Sequence, residues 1–310
     1  MSELPFIIRN YRPVDFKGYI RLHIESGPVD RSECYISSRI LAEALRRPNY
    51  CPEKNVFIVE KYGKIIAFVG LTPETGIRRV LLDGLVHPRF RRKGVATALF
   101  YRAMQRAQDL GAKVMHIRIP EANAAARSLA SNLGFKFVRY FLELKLDFYN
   151  THLPDVKRGP FVIRKLRRGE EDLLTGIQNR CFAGSWGFNP NTTEEIFHRV
   201  NLSHSSSADV IIACDGSKPV GYCWTRMNTE ENRLIGETGG QIHMMGVDPD
   251  YRKKGIGRTL LVKGLEHLKG KGVGVVELTV DSKNKAGRSL YASVGFEIDS
   301  KTEWYEKRVK

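Results

Sequence analysis

The sequence predicts an α/β fold, more closely an α+β domain with a mixed sheet, present twice in one chain. Three observations carry this. Apolar residues alternate at strand period and recur at helix period in the order β-α-α-β-β-β-α-β-α-β, once from Phe6 and again from Phe161. The run Val86-His87-Pro88-Arg89-Phe90-Arg91-Arg92-Lys93-Gly94-Val95-Ala96 has a counterpart in Val247-Asp248-Pro249-Asp250-Tyr251-Arg252-Lys253-Lys254-Gly255-Ile256-Gly257, 161 residues later. The same offset of 161 carries Leu99 onto Leu260, Asn123 onto Asn284 and Gly134-Phe135 onto Gly295-Phe296. A basic glycine loop alone is often only a helix cap. One that repeats with a following strand, Asn, helix and Gly-Phe marks a duplicated domain.

The first copy opens with a strand at Phe6 to Arg9 and a helix that Pro13 starts, running through Tyr19 to His23. A second helix is expected over Arg31 to Arg46, ended by Pro48. Val56 to Glu60 and Ile65 to Gly70 flank Lys61-Tyr62-Gly63-Lys64 as a hairpin. A strand from Val80 to Val86 feeds the first glycine loop and the helix Val95 to Leu110. Strand Val114 to Ile119, helix Asn123 to Asn132 and two strands, Phe135 to Val138 and Phe141 to Leu146, complete the copy. Asn150 to Pro160, with Pro154, Gly159 and Pro160, reads as the linker, which divides the chain into domains 1–150 and 151–310. In the second copy the helix after the loop is expected over Thr259 to Leu268.

At 310 residues, 42% hydrophobic and 27% charged, the chain has the length of two ordinary globular domains. No apolar run approaches the roughly 20 residues that cross a bilayer. Met1-Ser2-Glu3-Leu4-Pro5 lacks a basic segment followed by an apolar one, so no signal peptide and a cytoplasmic location are expected. Cys34, Cys51, Cys181, Cys214 and Cys223 are odd in number with no Cys-x-x-Cys pair, and the eight histidines show no His-x-x-x-His spacing. Neither a disulfide frame nor a metal is expected. The net charge of +16 concentrates at Arg89 to Lys93, Arg252 to Lys254, Lys157 to Arg168 and beyond Lys301. Basic runs without interleaved stacking aromatics argue against nucleic acid, whereas a small ligand with several phosphates accounts for the two loops. There is no Walker loop, and neither glycine loop completes Gly-x-Gly-x-x-Gly.

A strand, a Pro turn, a basic segment with glycines and a helix start together make an anion cradle. The first N–H groups of a helix have no partner within it, the helix dipole adds positive charge, and glycine lets the backbone come close to a phosphate. The Arg/Gln-x-x-Gly-x-Gly/Ala pattern after a strand ending Val-x-Pro resembles the acyl-CoA pyrophosphate loop of the GNAT superfamily of N-acetyltransferases. The element order agrees through nearly the whole chain, although the specific motifs lie in the second half of each copy. The tandem arrangement, with Asn179-Arg180-Cys181-Phe182-Ala183-Gly184 early in copy two, is similar to mycothiol synthase and its relatives.

The resemblance implies two tandem acyl-CoA N-acyltransferase domains and acetyl-CoA as co-substrate. It assigns the cofactor to Met245, Gly246 and Val247 on the strand, to Arg252, Lys253, Lys254, Gly255, Ile256, Gly257 and Arg258 in the loop, and to Asn284. The first copy keeps Arg91, Arg92, Lys93, Gly94, Val95, Ala96 and Asn123. Family members usually place a Tyr several residues after the Asn to protonate the departing sulfur. Tyr291 fits, whereas the matching position in copy one is Ala130. The family base commonly lies on the strand before the loop, and where mycothiol synthase has Glu this chain has Gln241. By alternation Gln241, His243 and Met245 share a face. His243 is the first choice of base, with Glu237 or a water relay behind it, and an unshifted His suits proton transfer near neutrality. At the 161 offset, Val80 and Leu82 match Gln241 and His243, so copy one lacks both acid and base.

Phe182 to Pro190 reads as a loop between two helices, of the kind that in this fold covers the acceptor. Phe182, Trp186 and Phe188 therefore either line the substrate pocket or pack a helix on the sheet, and Gln241 on the strand is a further candidate for the substrate site. Two functions follow from different classes: an N-acetyltransferase acting on a small-molecule or protein amine through its C-terminal domain, or a CoA-binding regulatory or scaffold protein without turnover. Tyr291 and the polar strand favour the first.

Overall fold

The computed structural model describes residues 6–26, 37–156, 159–227, 232 and 238–309. The elements are β1 (Ile7–Asn10), α1 (Phe16–Ser26), α2 (Ser38–Leu45), α3 (Pro52–Asn55), β2 (Val56–Lys61), β3 (Lys64–Glu74), β4 (Arg79–Val86), α4 (Val95–Asp109), β5 (Val114–Pro120), α5 (Ala124–Asn132) and β6 (Lys136–Asp147). There follow β7 (Val162–Lys165), α6 (Glu171–Phe182), α7 (Thr193–Val200), β8 (Val210–Asp215), β9 (Lys218–Arg226), β10 (Gly239–Val247), α8 (Ile256–Gly270), β11 (Val275–Asp281), α9 (Lys285–Ala292) and β12 (Glu297–Arg308). Of the expected helix over 31–46, residues 31–36 lie outside the described residues. The two strands expected between Phe135 and Leu146 are one continuous strand, β6.

Two compact units result, Met1–Tyr140 with Thr302–Lys310, and Phe141–Lys301. The sequence division at 150/151 therefore differs from the division in space. The physical reason is an exchange of final strands. In the first unit the sheet order is β1-β2-β3-β4-β5-β12, and the place beside β5 is taken by the end of the chain, with Thr302 to Arg308 antiparallel to Pro120 to Val114. In the second unit the order is β7-β8-β9-β10-β11-β6, and Phe141 to Asp147 pair antiparallel with Asp281 to Val275.

Helices cover both faces of each sheet. In the first unit, Leu99, Phe100, Ala103 and Ala107 of α4 are buried against Val59, Ala67, Leu71 and Met115, while Tyr19 and Leu22 of α1 meet Ile58 and Phe68 opposite. The second unit repeats this. Ile256, Leu260, Leu261, Leu265 and Leu268 of α8 recur at helical spacing and bury against Val220, Cys223 and Val276. Leu174, Ile177 and Cys181 of α6, with Ile196 and Val200 of α7, bury Tyr222 and Trp224 on the other face. Gly264 makes the α8 approach possible, because a Cβ there would stand 2.6 Å from Cys223 Sγ.

Each sheet also opens in its middle. Among the described residues, the parallel pairing of β4 is limited to Arg79 to Leu82 with Val114 to Ile117, and that of β10 to Gly239 to Gln241 with Val275 to Glu277. Beyond these pairs the strands part, which exposes one backbone edge of β10 from His243 to Val247 immediately before the glycine loop.

Candidate active site

The two glycine loops adopt one conformation. Arg92 and Lys253 have φ of 60° and 64°, and Gly94 and Gly255 have φ of 77° and 80°. Each glycine is the N-cap of a 15-residue helix and supplies no side-chain cap, so the first N–H groups of α4 and α8 point outward without one. Glycine is required at this cap because positive φ strains other residues. The loops are fixed from below: Nε of Arg91 donates to the Val86 carbonyl at 3.1 Å, and Nε of Arg252 to the Val247 carbonyl at 3.2 Å. Arg252 also donates through Nη2 to the Cys181 carbonyl at 3.1 Å. Its guanidinium thus clamps strand, loop and α6 together, while Lys254 lies over the Tyr251 ring.

A second clamp was not foreseen from the sequence. Arg180 donates through Nε and Nη2 to the two oxygens of Asp248 at 2.7 and 2.9 Å, and holds that carboxyl below its ordinary range. Arg180 belongs to the Asn179-Arg180-Cys181-Phe182 run, and its partner Asp248, 68 residues on, is fully enclosed. Gly246 completes the joint. A Cβ on it would lie 2.6 Å from Cys181 Cβ, so β10 and α6 approach backbone to side chain.

Strand β10 departs from simple alternation. Ile242 pairs with Thr225 and Met244 with Trp224, leaving His243 as the extra residue of a β-bulge. Two corrections follow. Met245 does not share a face with Gln241 and His243: it packs with Tyr291, Ile256 and Val247 on the α8 side, whereas His243 meets Trp224. The repeat offset also changes at His243. Gly239 and Arg79 occupy the same ladder position, an offset of 160, so Gln241 corresponds to Leu81 and His243 has no counterpart in copy one.

His243 is also unsuited to the base role expected of it. Its Nε2 is shut off from solvent without a hydrogen-bond partner among the described residues. Burial, then the charges of Arg226, Arg199 and His204, hold its pKa well below the ordinary value. Such an imidazole is neutral but a weak base. Glu237 lies outside the described residues.

Tyr291 is 9% exposed and sits in the apolar cluster that Met245 and Val247 pack against, its ring 6.0 Å from that of Phe296. Burial raises its pKa, so the phenol carries its proton throughout the neutral range. Earlier in the chain, α9 begins under its cap: Asn284 Oδ1 accepts from Gly287 N at 3.0 Å, as Asn123 Oδ1 does from Ala126 N in α5. Arg258 reaches Ser293 Oγ at 3.0 Å rather than the loop. Ala130, opposite Tyr291 in the repeat, is buried.

The aromatic loop after α6 is closed at its base, where Asn179 Nδ2 donates to the Asn191 carbonyl and Asn191 N to Asn179 Oδ1, both at 2.9 Å. Phe182 and Phe188 stack at 5.7 Å, and Trp186 meets Phe141 at 6.2 Å. The three rings are half-buried, and Gln241 is exposed.

A mixed sheet present twice, each copy opened beside a glycine loop at a helix N-terminus, is the arrangement of an acyltransferase fold. The family described as Acetyltransferase (GNAT) family matches residues 18–135 and 172–296, and the chain belongs to it. It is an acetyl-CoA-dependent N-acetyltransferase. Among curated relatives, the mycothiol acetyltransferase of Thermobifida fusca is 30% identical over 229 residues, covering 69% of this chain and 70% of that one. The mycothiol acetyltransferase of Nocardia farcinica is 25% identical over 249 residues, with 77% and 78% covered. The fold is shared with a GCN5-related N-acetyltransferase from Sphaerobacter thermophilus (TM-score 0.76, 21% identity, 99% and 96% covered). It is shared too with a tandem GNAT protein from the clavulanic acid biosynthesis pathway (TM-score 0.76, 15% identity, 98% of each chain). Among the described residues, no helix is long and apolar enough to cross a membrane.

Proposed function

We propose that the C-terminal copy, within the repeat 151–310, transfers acetyl from acetyl-CoA to the primary amine of a small molecule by direct attack, in the cytoplasm. The copy 1–150 is its non-catalytic partner, keeping the loop and Asn123 to hold CoA without turnover. The observation that carries this is the pairing of a bulged, opened β10 with Tyr291 in one copy only. The counterpart β4 has no bulge, and Ala130 has no proton to give.

The cradle at Gly255, Ile256 and Gly257 grips the diphosphate, and Asn284, whose Oδ1 caps α9, turns its amide toward the pantetheine arm. With that arm along the open edge of β10, N–H groups near Gly246 and Val247 polarise the thioester carbonyl. The amine nitrogen attacks the carbonyl carbon and forms the C–N bond. The C–S bond breaks, and Tyr291 donates a hydrogen bond to the leaving sulfur, any proton it passes on being replaced by the one the attacking nitrogen sheds as the amide forms. With His243 weakened as a base, Glu237 is the remaining side chain proposed to take the ammonium proton.

Direct attack is favoured over an acetyl-cysteine intermediate because burial pushes the Cys181 and Cys223 thiols up to about 12. At neutral pH they are thiols, and the thiolate is the nucleophile. Initial-rate kinetics test this. Intersecting double-reciprocal lines for acetyl-CoA and amine are expected, and parallel lines with an isolable acetyl-enzyme would contradict it.

A further inference from the structure

The α6/α7 face of the second unit carries a half-buried cation, Arg226, that has no counter-ion among the described residues. Arg226, the last residue of β9, has its guanidinium carbon 4.9 Å from the centre of the Trp224 ring, and Trp224 meets His243 edge-on at 5.1 Å. Arg226 Nε and Nη2 are closed to solvent and have no hydrogen-bond acceptor among the described residues. Among the described residues, the charges that act here are of like sign, Arg199 on Arg226 and both arginines with His204 on His243. Burial lowers the guanidinium only to about 9, so it remains charged at neutral pH.

An enclosed cation is costly unless an anion accompanies it. Elsewhere in the same unit, Arg180 shows what this pair of nitrogens takes when a partner is present. Its Nε and Nη2 meet both oxygens of Asp248 side-on, at 2.7 and 2.9 Å. The pair on Arg226, without an acceptor among the described residues, suits the same planar, two-oxygen ligand. Its place is also informative. Arg226 stands opposite Gln241 in the ladder, one bulge away from the edge where β10 leaves β11. Gln241 is uncharged, and the carboxylate next to it in the ladder, Glu277, is already paired with Lys145 at 3.2 Å.

We propose that Arg226, with Trp224 as its floor and Arg199 adding charge, binds a carboxylate of the acceptor, which is therefore an amino acid or another amino-carboxylate rather than a neutral amine. This rests on the second unit being the transfer site.

The test uses acceptor pairs that differ only in that group, amino acids and their carboxamides, with acetyl-CoA consumption followed for the full chain and for Arg226→Met and Arg226→Lys. In the unaltered protein kcat/KM favours the carboxylate by about tenfold or more, the size of a charge-assisted pair. The ratio falls to near one in Arg226→Met and is partly kept in Arg226→Lys. A ratio near one in the unaltered protein, which needs no variant to fold, overturns the proposal, as does a ratio that survives Arg226→Met. Absence of all turnover would count against the transferase reading instead. For that case, calorimetry with CoA present compares N-acetyl amino acids with their amides. Tighter binding of the carboxylates, lost in Arg226→Met, supports the subsite, and equal binding overturns it whether or not any amine is acetylated.

Discussion

Replacing Tyr291 with Phe removes one oxygen from a ring that the fold otherwise keeps. The ring is buried beside Phe296 in the cluster that also holds Ile256 and Leu260, and Phe fills the same space, so stability should change by no more than about 1 kcal/mol. The catalytic cost can be bounded from proton affinities. Burial raises the phenol above its ordinary value of 10.0, whereas an alkyl thiol has a pKa of about 8.5. Full proton transfer to the sulfur is therefore uphill, and the contribution proposed for Tyr291 is chiefly a hydrogen bond to developing negative charge in the transition state. Such a bond is worth about 1.5–3 kcal/mol, or roughly 10- to 150-fold in kcat, nearer the low end of general acid catalysis. Chromatographic measurement of CoA release at saturating acetyl-CoA reads kcat directly. A Tyr291→Phe variant with its melting temperature intact and kcat within twofold of the parent would refute the assignment of the acid.

Two further expectations concern stability. His23, His116 and His243 all have pKa values lowered chiefly by burial. Below the unfolded value of about 6.5 the unfolded chain binds protons that the folded chain does not. Unfolding free energy should therefore fall as pH drops from about 7 to 5, by at most about 1.4 kcal/mol per pH unit for each histidine. Urea titrations should show this, with His243→Gln flattening the slope; a flat profile in the parent would contradict the enclosure of these rings. Gly246→Ala puts a Cβ 2.6 Å from Cys181 Cβ and should cost about 1–3 kcal/mol through forced movement of α6. An unchanged denaturation midpoint would mean that β10 and α6 are not in contact there.

Much of this protein was legible because its signals are local. Strand alternation, the helical spacing of Leu260, Leu261, Leu265 and Leu268, and the glycine caps at Gly94 and Gly255 each depend on neighbours within a few residues. The pairing of Asn with Tyr291 in one copy and with Ala130 in the other needed only the repeat offset. The exchange of β6 and β12 was not legible, because either strand can extend either sheet and nothing in Phe141 to Asp147 or Thr302 to Arg308 names its partner. Nor was the bulge. One extra residue at His243, between Gly-Gly-Gln-Ile and Met-Met, shifts no hydrophobic pattern strongly enough to reveal itself, so alternation misplaced Met245 and the constant offset matched Gln241 to Val80 instead of Leu81. The Arg180–Asp248 clamp joins residues 68 apart, and the charge of Arg226 gained meaning only once its surroundings were known.

If turnover belongs to the loop at Gly255 and not to its twin at Gly94, one substitution made at both places should separate them. Both glycines are N-caps at nearly equal positive φ with open space where a Cβ would go, so Gly255→Asp and Gly94→Asp impose matched backbone strain. Asp at such a cap sets a carboxylate beside the helix N–H groups and repels the diphosphate. Steady-state acetyl transfer by the two variants reads the difference without an intermediary. In Gly255→Asp, kcat/KM for acetyl-CoA should fall by roughly 100-fold or more, because the charge-assisted hydrogen bonds to the diphosphate that it removes are worth about 3 kcal/mol. In Gly94→Asp the change should stay within a few-fold. Equal losses, or the larger loss in Gly94→Asp, would contradict the division of labour between the two copies.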